Sequence, residues 1–167
     1  MNIVPTDKSY TYDLLTQNLF TLNRAFPFLN IQVVGSSILG KNLYVVKLGT
    51  GSKKVFYSAS FHANEWITSV VLMKFVEDYA NAYVQNGKLY NYSVRDLFNN
   101  VSIFIMPMVN PDGVDLVTGN ILPSSSAYNQ AKSIANNYPD IPFPSGWKAN
   151  IRGVDLNLQF PARMGTS

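Results

Sequence analysis

Tyr12, Leu15, Leu19, Leu22 and Phe26 recur at spacings of three and four, which lines one face of a helix that Pro27 ends. Ile31 to Leu39 and Asn42 to Leu48 are rich in β-branched and aromatic residues. Gly40-Lys41 lies between them and Gly49-Thr50-Gly51 comes after, so the pair predicts a hairpin. Lys54 to Ser60 reads as a third strand. Glu65 to Gln85 lacks Gly and Pro and sets Ile67, Val70, Val71, Lys74 and Phe75 near helical spacing, with Gly87 as its stop. Val101 to Met106 is an apolar run, interrupted only by Ser102, between Asn99-Asn100 and Pro107, the pattern of a strand buried on both faces.

Beyond Pro107 the pattern changes. Asn110-Pro111-Asp112-Gly113 is turn chemistry, Ser124 to Asn136 predicts a helix, and Pro139, Pro142 and Pro144 forbid regular structure from Tyr138 to Gly146. Strands alternating with helices predict an α/β layered domain. With 167 residues and no evident linker, one domain is expected. A content of 47% hydrophobic and 14% charged residues excludes a disordered chain.

The net charge of +3 comes from scattered basic residues, with Lys53-Lys54 the only adjacent pair, so a nucleic-acid partner is not expected. Zero cysteines exclude a disulfide framework, a thiolate nucleophile and Cys-based zinc or iron–sulfur sites. No segment has the ~18 uninterrupted apolar residues of a membrane span. The start, Met1-Asn2-Ile3-Val4-Pro5, shows no charged leader followed by an apolar run, which leaves the compartment open.

The single histidine, His62, stands where the third strand is expected to end, and Glu65 comes three residues later. Ligands of open α/β sheets gather beyond the carboxyl ends of strands, and imidazole and carboxylate both suit zinc, at ~2.0–2.2 Å. His-x-x-Glu alone is equally compatible with a hydrogen-bonded structural histidine. Catalytic zinc takes three protein ligands as a rule. Asp112, Asp115 and Asp155 are carboxylates in later loops, and spacing does not separate a third ligand from a turn or cap residue among them. Arg152, beside Gly153, suits either a surface ion pair or stabilisation of an oxyanion. Asn157 suits either a plain loop or a hydrogen bond to substrate.

Taken in order, Phe61-His62-Ala63-Asn64-Glu65-Trp66, Asn110-Pro111-Asp112-Gly113, Asn150-Ile151-Arg152-Gly153-Val154-Asp155-Leu156-Asn157 and Phe160-Pro161 resemble the zinc carboxypeptidase A family. The likeness is nearest to its bacterial γ-D-glutamyl-L-diamino acid endopeptidases, which cut peptidoglycan stem peptides, and it runs from about residue 9 to 162. It implies a mixed parallel and antiparallel sheet with helices on both faces. It also implies zinc held by His62 and Glu65, an oxyanion steadied by Arg152, and a substrate carboxylate bound by Asn157. Strict carboxypeptidases of this family carry Arg after that Asn. Here Leu158 stands there and cannot pair with an anion, which favours a cut inside a γ-glutamyl-diaminopimelate peptide.

In the family a C-terminal half supplies a third zinc ligand (His), a substrate-contacting Tyr and a Glu general base. None of these maps onto this sequence. The expectation is therefore an N-terminal portion of a zinc peptidase catalytic domain over residues 1–167, inactive alone and weak in zinc binding. Its uncovered apolar sheet surface would favour a dimer or a complementing half. Localisation would be cytoplasmic or spore- or cell-wall-associated. The alternative is a non-catalytic module that binds peptide through Arg152 and Asn157 on the same fold.

Overall fold

The computed structural model describes residues 2–160. Helix α1 (Tyr12–Ala25) begins where the Thr11 hydroxyl accepts from the amide of Leu14 at 3.2 Å, and it buries Leu15, Leu19 and Leu22 along one face. Each such side chain contributes roughly 1.5–3 kcal/mol by leaving water. Strands β1 (Asn30–Ser36) and β2 (Asn42–Leu48) form the expected antiparallel hairpin. β1 stops at Ser36 rather than running to Leu39, because the next residues bond elsewhere. The Ser37 hydroxyl donates to Asp112 Oδ1 and the Leu39 amide to Asp112 Oδ2, each at 3.0 Å.

Strand β3 (Lys53–Ser58) leads through a short 3-10 turn, Ala63–Glu65, into α2 (Ile67–Val84). A two-stranded ribbon, β4 (Lys88–Leu89) and β5 (Tyr92–Ser93), then precedes α3 (Val94–Asn100). β6 (Val101–Met106), α4 (Pro111–Val117) and α5 (Ser126–Ala135) complete the order. The main sheet has the order β1-β2-β6-β3, with β2 antiparallel and β3 parallel to β6. The fold is thus α/β with a mixed sheet.

Val46, Leu48, Ile103 and Ile105 form one face of the sheet and pack with Leu19 and Leu22 of α1 and Met73, Val76 and Ala80 of α2 in the principal core. β6 is buried on this side and at Ser102 on the other, whereas Phe56 of the edge strand β3 is 57% exposed. Two buried ionic groups tie remote segments to this core. Lys41 Nζ lies 2.6 Å from Asp115 Oδ2 and 3.6 Å from Asp112 Oδ1, which latches the hairpin loop onto α4. Glu77, fully buried on α2, accepts from the amides of Ile3 and Val4 and from Lys74 Nζ at 2.9 Å, which anchors the first residues.

Candidate metal centre

β3 and β6 run parallel, so their carboxyl ends share one edge of the sheet. The chain leaves β3 through Ser60, whose φ of 52° lies in the left-handed region that costs a side-chain-bearing residue about 1–2 kcal/mol. Hydrogen bonds hold it there. Its amide donates to Thr68 Oγ1 at 3.0 Å and its hydroxyl lies 2.7 Å from Ser69 Oγ. This kink brings His62 over the sheet edge.

Asn110, just after β6, joins three loops. Its Oδ1 accepts from the amide of Gly113 at 3.1 Å and caps α4. Its Nδ2 donates to the carbonyls of Phe61 at 3.1 Å and Ala149 at 3.0 Å. Asn110-Pro111-Asp112-Gly113, expected as a turn, is therefore the start of a helix, with Asn as cap and Pro in the first turn, where its missing N–H has no consequence. Gly113 is required by contact: a Cβ there would stand 2.7 Å from the carbonyl oxygen of Ala149 and 2.8 Å from Ala63 Cβ. A direct bond from the Ala63 amide to the Lys148 carbonyl, at 2.9 Å, completes the seam. Behind it Ala63, Leu116, Ala131, Trp147 and Ile151 form a second, smaller core.

On this scaffold His62 and Glu65 meet, with His62 Nδ1 3.1 Å from Glu65 Oε1. The opposite ring nitrogen, Nε2, is 3.3 Å from Asp155 Oδ1. Either ring nitrogen can carry the proton; the tautomer that donates Nε2–H to Asp155 leaves Nδ1 as a free acceptor facing the Glu65 carboxylate. Two acceptors 3.1 Å apart repel each other unless a proton or a cation lies between them. Nitrogen and oxygen ligands at ~2.0–2.2 Å from one ion stand at comparable separations, so the pair fits two corners of a zinc site. Among the described residues no group of three His, Cys, Asp or Glu side chains surrounds a common point.

Asp112 and Asp115 are taken up by Ser37, Leu39, Lys41 and Tyr12 and are removed from the ligand candidates. Asp155 joins the site on the far side of the imidazole from Glu65 and also receives the Asn157 amide at 2.9 Å. Only its position in the Asn150–Asn157 motif signalled that role. The structure draws together His62, Glu65 and Asp155, and places Arg152 and Asn157 on the adjoining loop with exposed side chains. That loop is shaped by Asn150, whose Oδ1 accepts from the amides of Arg152 at 2.9 Å and Val154 at 3.1 Å.

A mixed α/β sheet with a histidine–carboxylate pair beyond a parallel strand defines a layered α/β domain with a candidate metal site. The chain belongs to the zinc carboxypeptidase family, whose model matches residues 15–167. It is 41% identical over 161 residues to γ-D-glutamyl-L-diamino acid endopeptidase 1 of Lysinibacillus sphaericus, covering 96% of this chain and 40% of that protein. It is 36% identical over 161 residues to the uncharacterized protein YqgT of Bacillus subtilis, covering 95% and 42%. The chain thus spans about two fifths of the length of these curated relatives.

Among solved structures, bovine thrombin-activatable fibrinolysis inhibitor in complex with tick carboxypeptidase inhibitor aligns with a TM-score of 0.58 at 20% identity, covering 87% of this chain and 38% of that one. A metallo-carboxypeptidase from Burkholderia cenocepacia aligns at 0.55 and 22% identity, covering 74% and 32%. Both likenesses are of fold. No helix among the described residues is long and apolar enough to cross a membrane.

Proposed function

We propose that this chain supplies part of the catalytic domain of a zinc metallopeptidase that hydrolyses amide bonds in peptidoglycan-type peptides, at γ-D-glutamyl-diaminopimelate linkages. The observation that carries the reading is the convergence of His62 Nδ1 and Glu65 Oε1 at 3.1 Å, with Asp155 behind the ring. The 41% identity to a γ-D-glutamyl-L-diamino acid endopeptidase supports the substrate class.

In this reading His62 and Glu65 hold the ion and Asp155 orients the imidazole. When bound, zinc supplies Lewis acidity and an acidified water of pKa near ~7. Arg152 offers a guanidinium to the carbonyl oxygen as it becomes negative, and Asn157 donates to the substrate's carboxylate end. Leu158, 74% exposed, offers that end no charge, in keeping with cleavage within a peptide rather than at its terminus. Two ligands bind weakly, so the further ligand and the general base belong to sequence that the longer relatives carry in addition, and the chain by itself turns over little substrate.

The one histidine of the sequence makes the test direct, because its ring resonances report a single site. Zinc should shift them in the native chain and not in Glu65→Ala; resonances unmoved by millimolar zinc would sink the metal reading. Fusion to the additional segment of the Lysinibacillus relative should give zinc-dependent cleavage of a γ-D-glutamyl-diaminopimelate peptide. A folded, zinc-loaded fusion without that cleavage would overturn the substrate assignment.

A further inference from the structure

We infer that Lys148 reads the free α-carboxylate of the γ-linked glutamyl residue on the acyl side of the scissile bond. This rests on the peptidase reading and names a specificity residue for it. A pocket of about 270 Å³ opens beside the metal centre, walled by Ile134, Tyr138, Phe143 and Trp147 and closed on the site side by Lys148 and Asp155. It lies just below the ~300–1,000 Å³ of small-molecule sites. Asp155 is the carboxylate that orients His62, and the carbonyl of Lys148 is bonded to the amide next to His62. The pocket therefore adjoins the reacting centre through two independent contacts.

Its chemistry is specific: apolar walls, the Asp155 carboxylate already engaged by His62 and the Asn157 amide, and one cation, the exposed Lys148. Lys41 and Lys74 sit in ion pairs, whereas Lys148 has no carboxylate partner among the described residues. A ligand that fits is an aliphatic stem ending in an anion. A γ-linked glutamyl residue is such a group, because two methylenes separate the scissile carbonyl from the carbon that bears its free carboxylate. The stem would lie on the apolar walls while the carboxylate meets the ammonium, as lysine stems and heads divide between apolar and polar surroundings. Arg152 does not line this pocket, so the carboxylate contact and the oxyanion contact fall to different cations.

The test titrates the metal-free 167-residue chain with N-acetyl-γ-D-glutamyl-meso-diaminopimelate and with the same peptide carrying a carboxamide in place of the glutamyl α-carboxylate. The Trp147 indole resonance serves as reporter. The free acid should bind about fivefold more tightly than the amide, the scale of one partly exposed ion pair. Lys148→Gln should abolish the preference, while Lys148→Arg and Arg152→Gln retain it. Equal affinities, a preference that tracks Arg152, a preference that survives Lys148→Gln, or peptides that leave Trp147 unmoved would each overturn the assignment. Failure of the peptidase reading is seen separately, as His62 resonances indifferent to zinc while the Lys148-dependent preference persists.

Discussion

Asp155 Oδ1 stands 3.3 Å from His62 Nε2 across 93 positions of sequence, so the ring that faces Glu65 is held from behind by the loop that carries Arg152 and Asn157. Partners of this kind set the tautomer and basicity of a metal-binding imidazole. Asp155→Ala should lower zinc affinity by roughly 10–100-fold. Competition against a chromophoric chelator measures it, and an unchanged affinity would show that the ring is oriented by other means.

Asn110 satisfies three backbone groups, one in the first turn of α4 and two in other loops. Asn110→Ala strips all three at a buried position and should cost roughly 2–4 kcal/mol in denaturant unfolding. A smaller loss, below ~1 kcal/mol, would mean that water replaces the amide without strain.

Gly113 tests the same seam from the side of packing. Its alanine variant presses a methyl against the Ala149 carbonyl, which is backbone and cannot rotate away. The expected loss is roughly 1–3 kcal/mol, with movement of the Lys148–Ala149 amide resonances. Native stability in the variant would contradict the contact.

Glu77 makes folding pH-dependent. Burial by itself raises its pKa, but the amides of Ile3 and Val4 together with Lys74 outweigh it and hold the carboxyl below the ordinary glutamate value. The group releases its proton more readily in the folded chain, so its contribution is complete above the unfolded pKa of ~4.3 and is lost as the pH falls through the lower folded value. Glu77→Gln should therefore unfold at a lower temperature than the native chain at pH 7. The two melting curves should converge as the pH drops below about 4. A gap independent of pH would exclude the ionised carboxylate as its source.

Much of this fold is legible in local pattern. The spacing of Leu15, Leu19 and Leu22 predicts α1, and the apolar run at Val101–Met106 predicts β6, because periodicity and burial act over a few residues. The β4–β5 ribbon and α3 carry no such signal: two-residue strands have no period, and α3 is fixed by the Ser93 cap and by packing on α2 and β6. Asn110-Pro111-Asp112-Gly113 misleads because the same residue types favour turns and helix starts, and only the tertiary partners of the segment decide between them. At the site, the nearness of His62 and Glu65 is written in their three-residue spacing. The separate fates of Asp112, Asp115 and Asp155 depend on partners some 75 to 100 positions away and cannot be seen locally.

The loops of the metal centre are joined almost wholly through main-chain oxygens: those of Phe61, Lys148 and Ala149 take the bonds, and none of these side chains does. Substitutions at positions 61 and 148 can therefore change the side chains there while the bonds that set the path of the backbone stay the same. The Asn110–Gly113 joint thus keeps the surrounding loops in place independently of which side chains positions 61 and 148 carry.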